Sequence, residues 1–438
     1  MDDFVCPQCY LQTRPQAFFY SRGETWWSVS AAEGSLYRNL CPHRQAWPNE
    51  TILGCPSMRS AIDRWLRPAL TTSAPRTVFG TGEVSIADVA AARYLIEARG
   101  DCPVPIPPVI GDSFRDPDVR ADFASNPGSN EVRIFDLRDV VLVAPRMLLF
   151  QDGERIAETR CLVDDDDYWR KPPTPRELRE ISTDKTVVIG VNLAFRNYYH
   201  WLMECLPAID ASVTTIGAQN CALVLPRLAV WQEESLAMLG YADIPRITIE
   251  FDCHYRFECV HFCTYLNGSA SFSLSPRRLA VIDRLAEGIK VVEGTPQRLY
   301  VARLDSRNRV MRNETEVRHF LESRGFVTLV PGYYSLRDQI ALFKGARVVV
   351  GAHGAGLANL AFCSPGTTAL ELVQSNYPNV YMNRIAQGRG LRYHAECFQC
   401  EARGDVHGQD WTVDMGQLKA KVLSLLVASD IVTPLERG

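Results

Sequence analysis

His200 and Glu204 lie four residues apart in the segment NYYHWLMECLP, which follows the apolar run TVVIGVNL. At this spacing both side chains project from one face of a helix. A carboxylate beside an imidazole can share a proton, and general-base catalysis on a sugar hydroxyl requires such a group, with a pKa set by its neighbours. The alternative is an ordinary surface contact within a helix. The flanking rings of Tyr198, Tyr199 and Trp201 favour a cleft in which sugars stack on aromatic side chains.

A second candidate site is the Gly-rich turn within residues 347–371, RVVVGAHGAGLANLAFCSPGTTALE. Gly351, Gly354 and Gly356 allow the backbone to turn tightly and to approach a ligand closely. A helix that starts after the turn would direct unpaired N–H groups and a partial positive charge at a phosphate. The alternative is that the glycines only let a helix pack closely on a strand. The histidine in the turn, His353, favours an anion site.

Four arginines follow the strand-like run RLYVAR: Arg303, Arg307, Arg309 and Arg312. The planar guanidinium matches the oxygens of a diphosphate, and such a loop can replace a metal ion in stabilising a leaving group. The alternative is a solvated loop with salt bridges. Glu371 ends the strand-like run TTALE, where a carboxylate can accept hydrogen bonds from ribose hydroxyls.

Hydrophobic patterning predicts the elements that position these residues. From Glu131 onward, short apolar runs separated by turn residues predict strands in hairpins. Strands and helices then alternate twice, from TVVIGVNL to RITIEF and from RLYVAR to TTALELV, which predicts two α/β units with parallel sheets. Ligands bind outside the carboxyl ends of parallel strands, where the candidate residues lie. In the irregular region before Glu131, residues 85–100 (SIADVAAARYLIEARG) predict a helix.

Composition limits the classes of partner. The 438 residues carry 47 basic and 51 acidic side chains, a net charge of -4, without a long basic block, so a nucleic-acid partner is not indicated. No apolar run approaches the ~20 residues that a membrane helix needs, and the start of the chain lacks the pattern of a secretory signal. These features predict no transmembrane segment and a cytoplasmic location, and they leave peripheral membrane association open. The 14 dispersed cysteines are expected to be reduced.

Two patterns offer metal sites as alternatives. Cys6 and Cys9 (CPQC) supply half of a tetrahedral zinc shell, but no second close pair completes it. Asp164 and Asp166 form a D-x-D after Leu162 and Val163, which could hold a divalent metal on a nucleotide diphosphate, although runs of aspartates are usually solvated turns. The sequence therefore favours a site without metal.

Three segments together resemble glycosyltransferase family 61: NYYHWLMECLP, VARLDSRNRVMRNETE and SLRDQIALFKGARVVVGAHGAGLANLAFCSPGTTALEL. The resemblance covers roughly residues 131–373. It implies a GT-B-like α/β fold, with two Rossmann-like domains facing a cleft and an N-terminal extension. The predicted boundaries are 1–125 for the extension or cap, 126–285 for the acceptor domain, and 286–438 for the nucleotide-sugar-binding domain with a closing C-terminal helix.

The resemblance also implies a function. It suggests an inverting, metal-independent glycosyltransferase that uses no cofactor and moves a sugar from a nucleotide diphosphate, expected to be a UDP-sugar, to a hydroxyl of a glycan acceptor. Synthesis of surface polysaccharide is the expected context. The alternatives are a non-catalytic nucleotide-sugar or glycan-binding protein of the same fold, and a metal-dependent transferase using Asp164 and Asp166.

Roles for individual residues follow from the same resemblance. The family pattern of a histidine followed four residues later by an acid maps onto His200 and Glu204. The first hypothesis is that Glu204, oriented by His200 or sharing a proton with it, removes the acceptor proton, and which of the two is the base stays open. The acid is Glu204 where many relatives carry Asp. The donor nucleotide is expected to contact Arg303, Arg307, His353, Gly354, Ala355, Gly356, Leu357, Asn359 and Glu371. The acceptor is expected to contact Asn197, Tyr198, Tyr199 and Trp201.

Overall fold

The computed structural model describes residues 17–22, 25–30, 36–37, 79–101, 104–126, 128–161, 171–268, 272, 274–306, 308–400 and 409–431. For 17–22, 25–30, 36–37 and 428–431 it describes the backbone. The chain divides into two compact units, 1–73 and 74–438. In the first unit, the described residues form an antiparallel sheet of β1 (Ala17–Arg22), β2 (Thr25–Ser30) and β3 (Leu36–Tyr37).

The second unit contains strands and helices in mixed order. Its strands are β4 (Glu83–Val84), β5 (Ala92–Glu97), β6 (Val109–Ile110), β7 (Val132–Val143), β8 (Leu148–Gln151), β9 (Glu154–Ile156), β10 (Glu177–Ile181), β11 (Thr186–Ile189), β12 (Cys221–Leu225), β13 (Arg246–Thr248), β14 (Cys253–Cys263), β15 (Arg298–Val301), β16 (Val327–Leu329), β17 (Val348–Ala352), β18 (Thr368–Gln374) and β19 (Arg392–Phe398). Its helices are α1 (Ile86–Val89), α2 (Pro117–Ala124), α3 (Tyr198–His200, continued by the π-helical turn Trp201–Cys205 and by Leu206–Ile216), α4 (Val230–Met238), α5 (Pro276–Leu285), α6 (Glu314–Glu322), α7 (Leu336–Gly345), α8 (Tyr381–Arg389) and α9 (Met415–Ile431).

The described residues of this unit form two sheets, and the first combines parallel and antiparallel strands. The strands β11, β12 and β13 pair in parallel, and β11 also pairs in parallel with β14. On its other side, β14 pairs antiparallel with β7, which begins the hairpins β7–β8 and β8–β9. The predicted hairpins and the predicted parallel βαβ units are therefore confirmed.

The second sheet is entirely parallel among the described residues, with the strand order β16-β15-β17-β18-β19-β6. Runs such as Val348, Val349 and Val350 are buried on both faces, as expected for strands covered by helices on each side. A single cluster of buried apolar side chains includes Val188 of β11 and Val349 of β17, so the helices between the two sheets share one core.

The prediction of a mixed α/β fold is confirmed, whereas the GT-B arrangement and the boundaries at 125 and 285 stay predictions. The predicted helix over residues 85–100 is wrong. Only the short α1 forms there, and residues 92–97 form β5, which pairs antiparallel with β7. Local propensity alone favoured a helix, but the exposed edge of β7 pairs with this segment. Among the described residues, no helix has the length and apolar character to span a membrane.

Candidate active site

A buried carboxylate and a histidine contact each other at the start of α3. The Oε1 atom of Glu204 lies 3.0 Å from Nδ1 of His200, and Oε2 accepts a hydrogen bond of 2.7 Å from Nδ2 of Asn192. Glu204 is only 3% exposed, so these two contacts, rather than water, stabilise the carboxylate. Both carboxylate oxygens are thus engaged inside the protein. No described residue hydrogen-bonds Nε2 of His200, whose side chain is 13% exposed.

The backbone explains why this pair forms. Asn197 caps α3, because its Oδ1 accepts a hydrogen bond of 2.9 Å from the backbone N–H of Tyr199. Residues 201–205 then form a π-helical turn, a rare element that often occurs at functional sites. The predicted spacing of His200 and Glu204 on one helix face is confirmed by their contact, and the predicted surface contact is excluded by the burial of Glu204.

The aromatic residues beside the pair are more buried than an open cleft would require. Trp201 is 0% exposed, and its Nε1 donates a hydrogen bond of 2.9 Å to Oγ of Ser235. Tyr199 is 3% exposed and stacks on Tyr381 of α8, with ring centroids 5.0 Å apart. These two rings offer no surface to a sugar in this structure, and they hold α3 against its neighbours. Tyr198 is half-buried.

A second buried histidine–carboxylate pair lies at the carboxyl end of the second sheet. His353 follows β17, and its Nδ1 lies 2.5 Å from Oε1 of Glu371 in the neighbouring strand β18. The hydroxyl of Tyr393 in β19 donates a hydrogen bond to the other oxygen, Oε2 of Glu371. Glu371 is 1% exposed, and its two oxygens contact His353 and Tyr393, so the carboxylate orients His353 in this structure. Burial and the negative charge of Glu371 raise the pKa of Tyr393 well above its usual value, which keeps its hydroxyl a donor.

The Gly-rich turn makes room for an arginine side chain, and it also lets neighbouring segments pack closely. Arg303 follows β15, and its Nη1 donates a hydrogen bond of 2.9 Å to the carbonyl oxygen of His353. A Cβ atom at Gly354 would lie 1.7 Å from this Nη1, so a side chain at this position would displace the guanidinium. In contrast, a Cβ atom at Gly351 would meet Leu357 at 2.9 Å, which is the packing alternative. The packing alternative therefore holds at Gly351, whereas the anion site stays a prediction.

The guanidinium of Arg303 sits in a desolvated environment. Burial, followed by the positive charge of Arg309, lowers its pKa to about 10, so it remains a cation at neutral pH. Its Nη2 donates hydrogen bonds to Oγ of Ser306 and to the carbonyl oxygen of Asn308, each 2.9 Å long. Of the other arginines in this loop, Arg312 has a side chain that is 71% exposed and lies 3.7 Å from Asp410. Among the described arginines of this loop, Arg303 and Arg309 are therefore partly buried, whereas Arg312 is exposed.

The segment after the turn differs from the prediction. Residues 355–362 form a 3₁₀-helix rather than an α-helix, and the N–H of Leu357 donates to the carbonyl oxygen of Gly354 within the turn. Asn359 is 0% exposed and accepts a hydrogen bond of 2.6 Å from the hydroxyl of Tyr198. This bond ties the turn that carries His200 to the turn that follows His353. The helix that carries His200 and the segment that follows His353 are therefore in direct contact.

Several predicted residues lie outside the described residues: Arg307, Asp164, Asp166, Cys6 and Cys9. Among the described residues, one group of side chains has the spacing of a metal site, formed by Glu250, Asp252 and Cys253. Its Glu250 already accepts a hydrogen bond of 2.8 Å from Arg179. The predicted roles of the catalytic, donor and acceptor residues stay predictions.

Sequence reasoning missed Asn192, Tyr393 and Tyr377 as neighbours of the candidate residues. Asn192 was detectable, because it is a polar residue at the carboxyl end of a predicted strand, where ligand sites form. Tyr393 was not, because its position beside Glu371 depends on the register between β18 and β19.

Comparison with known proteins agrees with the predicted resemblance. Residues 198–370 match the sequence model of the family described as Glycosyltransferase 61. The match runs from the start of α3 into β18, where it ends one residue before Glu371. It therefore contains His200, Glu204 and His353. The resemblance is therefore confirmed: this part of the chain is a glycosyltransferase family 61 domain.

Two plant proteins share a short similar segment. A Beta-1,2-xylosyltransferase of Arabidopsis thaliana is 36% identical over 72 residues, which are 16% of this chain and 14% of the plant protein. Beta-1,2-xylosyltransferase RCN11 of Oryza sativa subsp. japonica is 36% identical over 63 residues, which are 14% of this chain and 12% of the plant protein. The matched segment thus spans a small part of each relative.

Proposed function

We propose that this glycosyltransferase family 61 domain catalyses inverting transfer of a sugar from a nucleotide diphosphate donor to a hydroxyl of a glycan acceptor. The observation that supports this most directly is the buried hydrogen-bonded chain of Asn192, Glu204 and His200. A buried carboxylate that orients a histidine through Nδ1 leaves Nε2 as the proton acceptor.

His200 is the proposed base, and Glu204 is the proposed positioning residue. Nε2 of His200 removes the proton of the acceptor hydroxyl while the oxygen attacks the anomeric carbon. The bond from that carbon to the diphosphate breaks on the opposite face, so the configuration inverts. The proton stays on His200, and the carboxylate of Glu204 stabilises the resulting imidazolium. This assignment favours the histidine over the acid, a choice that the sequence leaves open.

The leaving diphosphate is proposed to bind at the carboxyl end of the second sheet. Arg303 supplies a positive charge there, and its hydrogen bond to the carbonyl oxygen of His353 fixes its direction. A fixed cation in a desolvated site stabilises developing negative charge more strongly than a mobile one in water. Metal independence is part of this proposal. The relatives are named xylosyltransferases, so a UDP-linked pentose is the first donor to test.

Thermal-shift measurements against UDP-, GDP-, CMP- and dTDP-sugars test donor binding, because a ligand that binds only the folded state raises the melting temperature. The stabilising donor is then incubated with candidate glycan acceptors, with and without a chelator, and the anomeric configuration of the product is read by NMR. Transfer with inversion in the presence of chelator is the expected result. Activity that disappears with chelator would favour the metal-dependent alternative, and donor binding without transfer would favour the non-catalytic one.

A further inference from the structure

Arg309 reaches across the end of the second sheet. It belongs to the loop after β15, but its guanidinium carbon lies 4.3 Å from the ring centroid of Tyr377, in the loop after β18. The ring of Tyr377 in turn contacts the ring of His353, with centroids 5.6 Å apart and planes at 60°. Because β17 lies between β15 and β18, Arg309 and Tyr377 bridge the strand that leads to His353.

The backbone of Arg309 is held in an unfavourable conformation. Its φ of 54° lies in the left-handed region, which costs free energy for a residue with a side chain. Trp411 keeps the loop in this shape through two hydrogen bonds of 3.0 Å. Its Nε1 donates to the carbonyl oxygen of Arg309, and its backbone N–H donates to the carbonyl oxygen of Val310. Strained residues that the surrounding structure holds in place are concentrated at functional sites.

The charges of this loop suit an anion. Burial lowers the pKa of Arg309 as it does that of Arg303, and the two cations repel each other. The carboxylates of Asp305 and Glu314 act on Arg303 in the opposite direction, and Glu314 Oε1 accepts a hydrogen bond of 2.8 Å from the backbone N–H of Arg303. Two partly buried, mutually repelling guanidiniums are stabilised when an anion with several oxygens binds both.

We propose that Arg309 is a second arginine for the donor's diphosphate, acting together with Arg303, and that Tyr377 is the positioning residue that holds Arg309 over the site. This inference rests on the proposed function, since it concerns the same leaving group. Neither residue is among the donor contacts that the family resemblance implies, and of the four arginines in the loop the inference selects Arg309 as the partner of Arg303. It also separates Arg309 from Arg312, which belongs to the same loop but is exposed beside Asp410.

Isothermal titration calorimetry with inorganic pyrophosphate tests the proposal without a sugar donor. Arg309→Gln should weaken pyrophosphate binding on the order of ten-fold, as expected for one charge-assisted contact to a phosphate. Arg312→Gln is the matched control, because it removes the same charge from the same loop, and it should change the affinity by no more than about two-fold. Tyr377→Leu should weaken binding as well, whereas Tyr377→Phe keeps the ring and should bind as the wild type does.

A further variant separates binding from folding. Arg309→Gly removes the cation but relaxes the left-handed backbone, so its melting temperature should equal or exceed that of the wild type while pyrophosphate binding falls. Wild-type affinity in Arg309→Gln, equal losses in Arg309→Gln and Arg312→Gln, or no pyrophosphate binding by the wild type at millimolar concentration would each overturn the proposal. Pyrophosphate binding that depends on Arg309, without any sugar transfer, would instead overturn the proposed function alone.

Discussion

Replacing Glu204 by glutamine tests the buried chain that orients His200. Glutamine has nearly the same shape as glutamate, but it replaces one acceptor oxygen by a donor NH₂. The outcome therefore depends on which way the new amide faces. Wild-type Glu204 accepts from Asn192 on one oxygen and contacts Nδ1 of His200 with the other.

The surroundings of Asn192 decide the orientation of the new amide. Nδ2 of Asn192 also donates a hydrogen bond of 3.0 Å to the carbonyl oxygen of Leu266, and its Oδ1 accepts one of 3.1 Å from the N–H of Ala194. The side-chain amide of Asn192 therefore cannot flip without losing both hydrogen bonds. The oxygen of the new glutamine must consequently face Asn192, and its NH₂ must face Nδ1 of His200. That arrangement forces the proton of the neutral imidazole onto Nε2, where it blocks the proposed base.

The expected loss in kcat is on the order of 10² to 10⁴, because general-base catalysis contributes a factor in this range. Holding a catalytic histidine in the wrong tautomer can by itself lower kcat by about 10⁴. This corresponds to about 3 to 5.5 kcal/mol in the barrier. The assay is release of the nucleotide diphosphate with the donor identified by thermal shift, with kcat and the donor KM measured separately. The donor KM should stay within about three-fold, because the substitution lies in the part of the site that is proposed to face the acceptor.

Glu204→Asp is the matched control, because it keeps the negative charge and shortens the side chain by one methylene. It should lose much less activity than Glu204→Gln. Nitrogen-15 NMR of labelled histidine gives a readout that does not depend on turnover: the His200 signal should change from the Nδ1–H to the Nε2–H tautomer in Glu204→Gln. Unchanged kcat, or an unchanged tautomer with lost activity, would refute the reasoning.

Three further substitutions test other parts of the structure. Gly354→Ala should weaken donor binding on the order of ten-fold, because its methyl group would lie 1.7 Å from Nη1 of Arg303 and would displace the guanidinium; an unchanged thermal shift with the donor would contradict this. Tyr198→Phe removes the 2.6 Å hydrogen bond to Asn359 and should cost about 1 to 3 kcal/mol in urea unfolding, since it leaves a buried acceptor unpaired, and equal stability would argue against that contact. Burial lowers the pKa of His394 from 6.5 to about 4. Between these two pH values the unfolded chain binds more protons than the folded one, so the free energy of unfolding falls as the pH drops from 6.5 to 4, by at most about 3 kcal/mol. His394→Gln should therefore reduce the loss of stability between neutral pH and about pH 5, and equal losses in variant and wild type would show that His394 does not titrate this way.

Periodicity predicted the parallel strands and the helices between them, because buried strands and amphipathic helices have distinct local patterns. It failed for residues 92–97, where pairing with β7 outweighs the local preference for a helix. It also missed the π-helical turn at 201–205 and the 3₁₀-helix at 355–362, since these depend on small differences in packing that a hydrophobic pattern does not record.

The sequence by itself determined that a histidine and an acid share one helix face, that a Gly-rich turn and arginines end neighbouring strands, and which family these motifs resemble. Spacing along a chain suffices for such statements, because helical and strand periods are local. Only the tertiary structure decided that Glu204 and Glu371 are both buried and each orient a histidine, and that Arg309 but not Arg312 turns toward the sheet. Burial and contacts between distant residues depend on how the strands align, and no local pattern specifies that alignment.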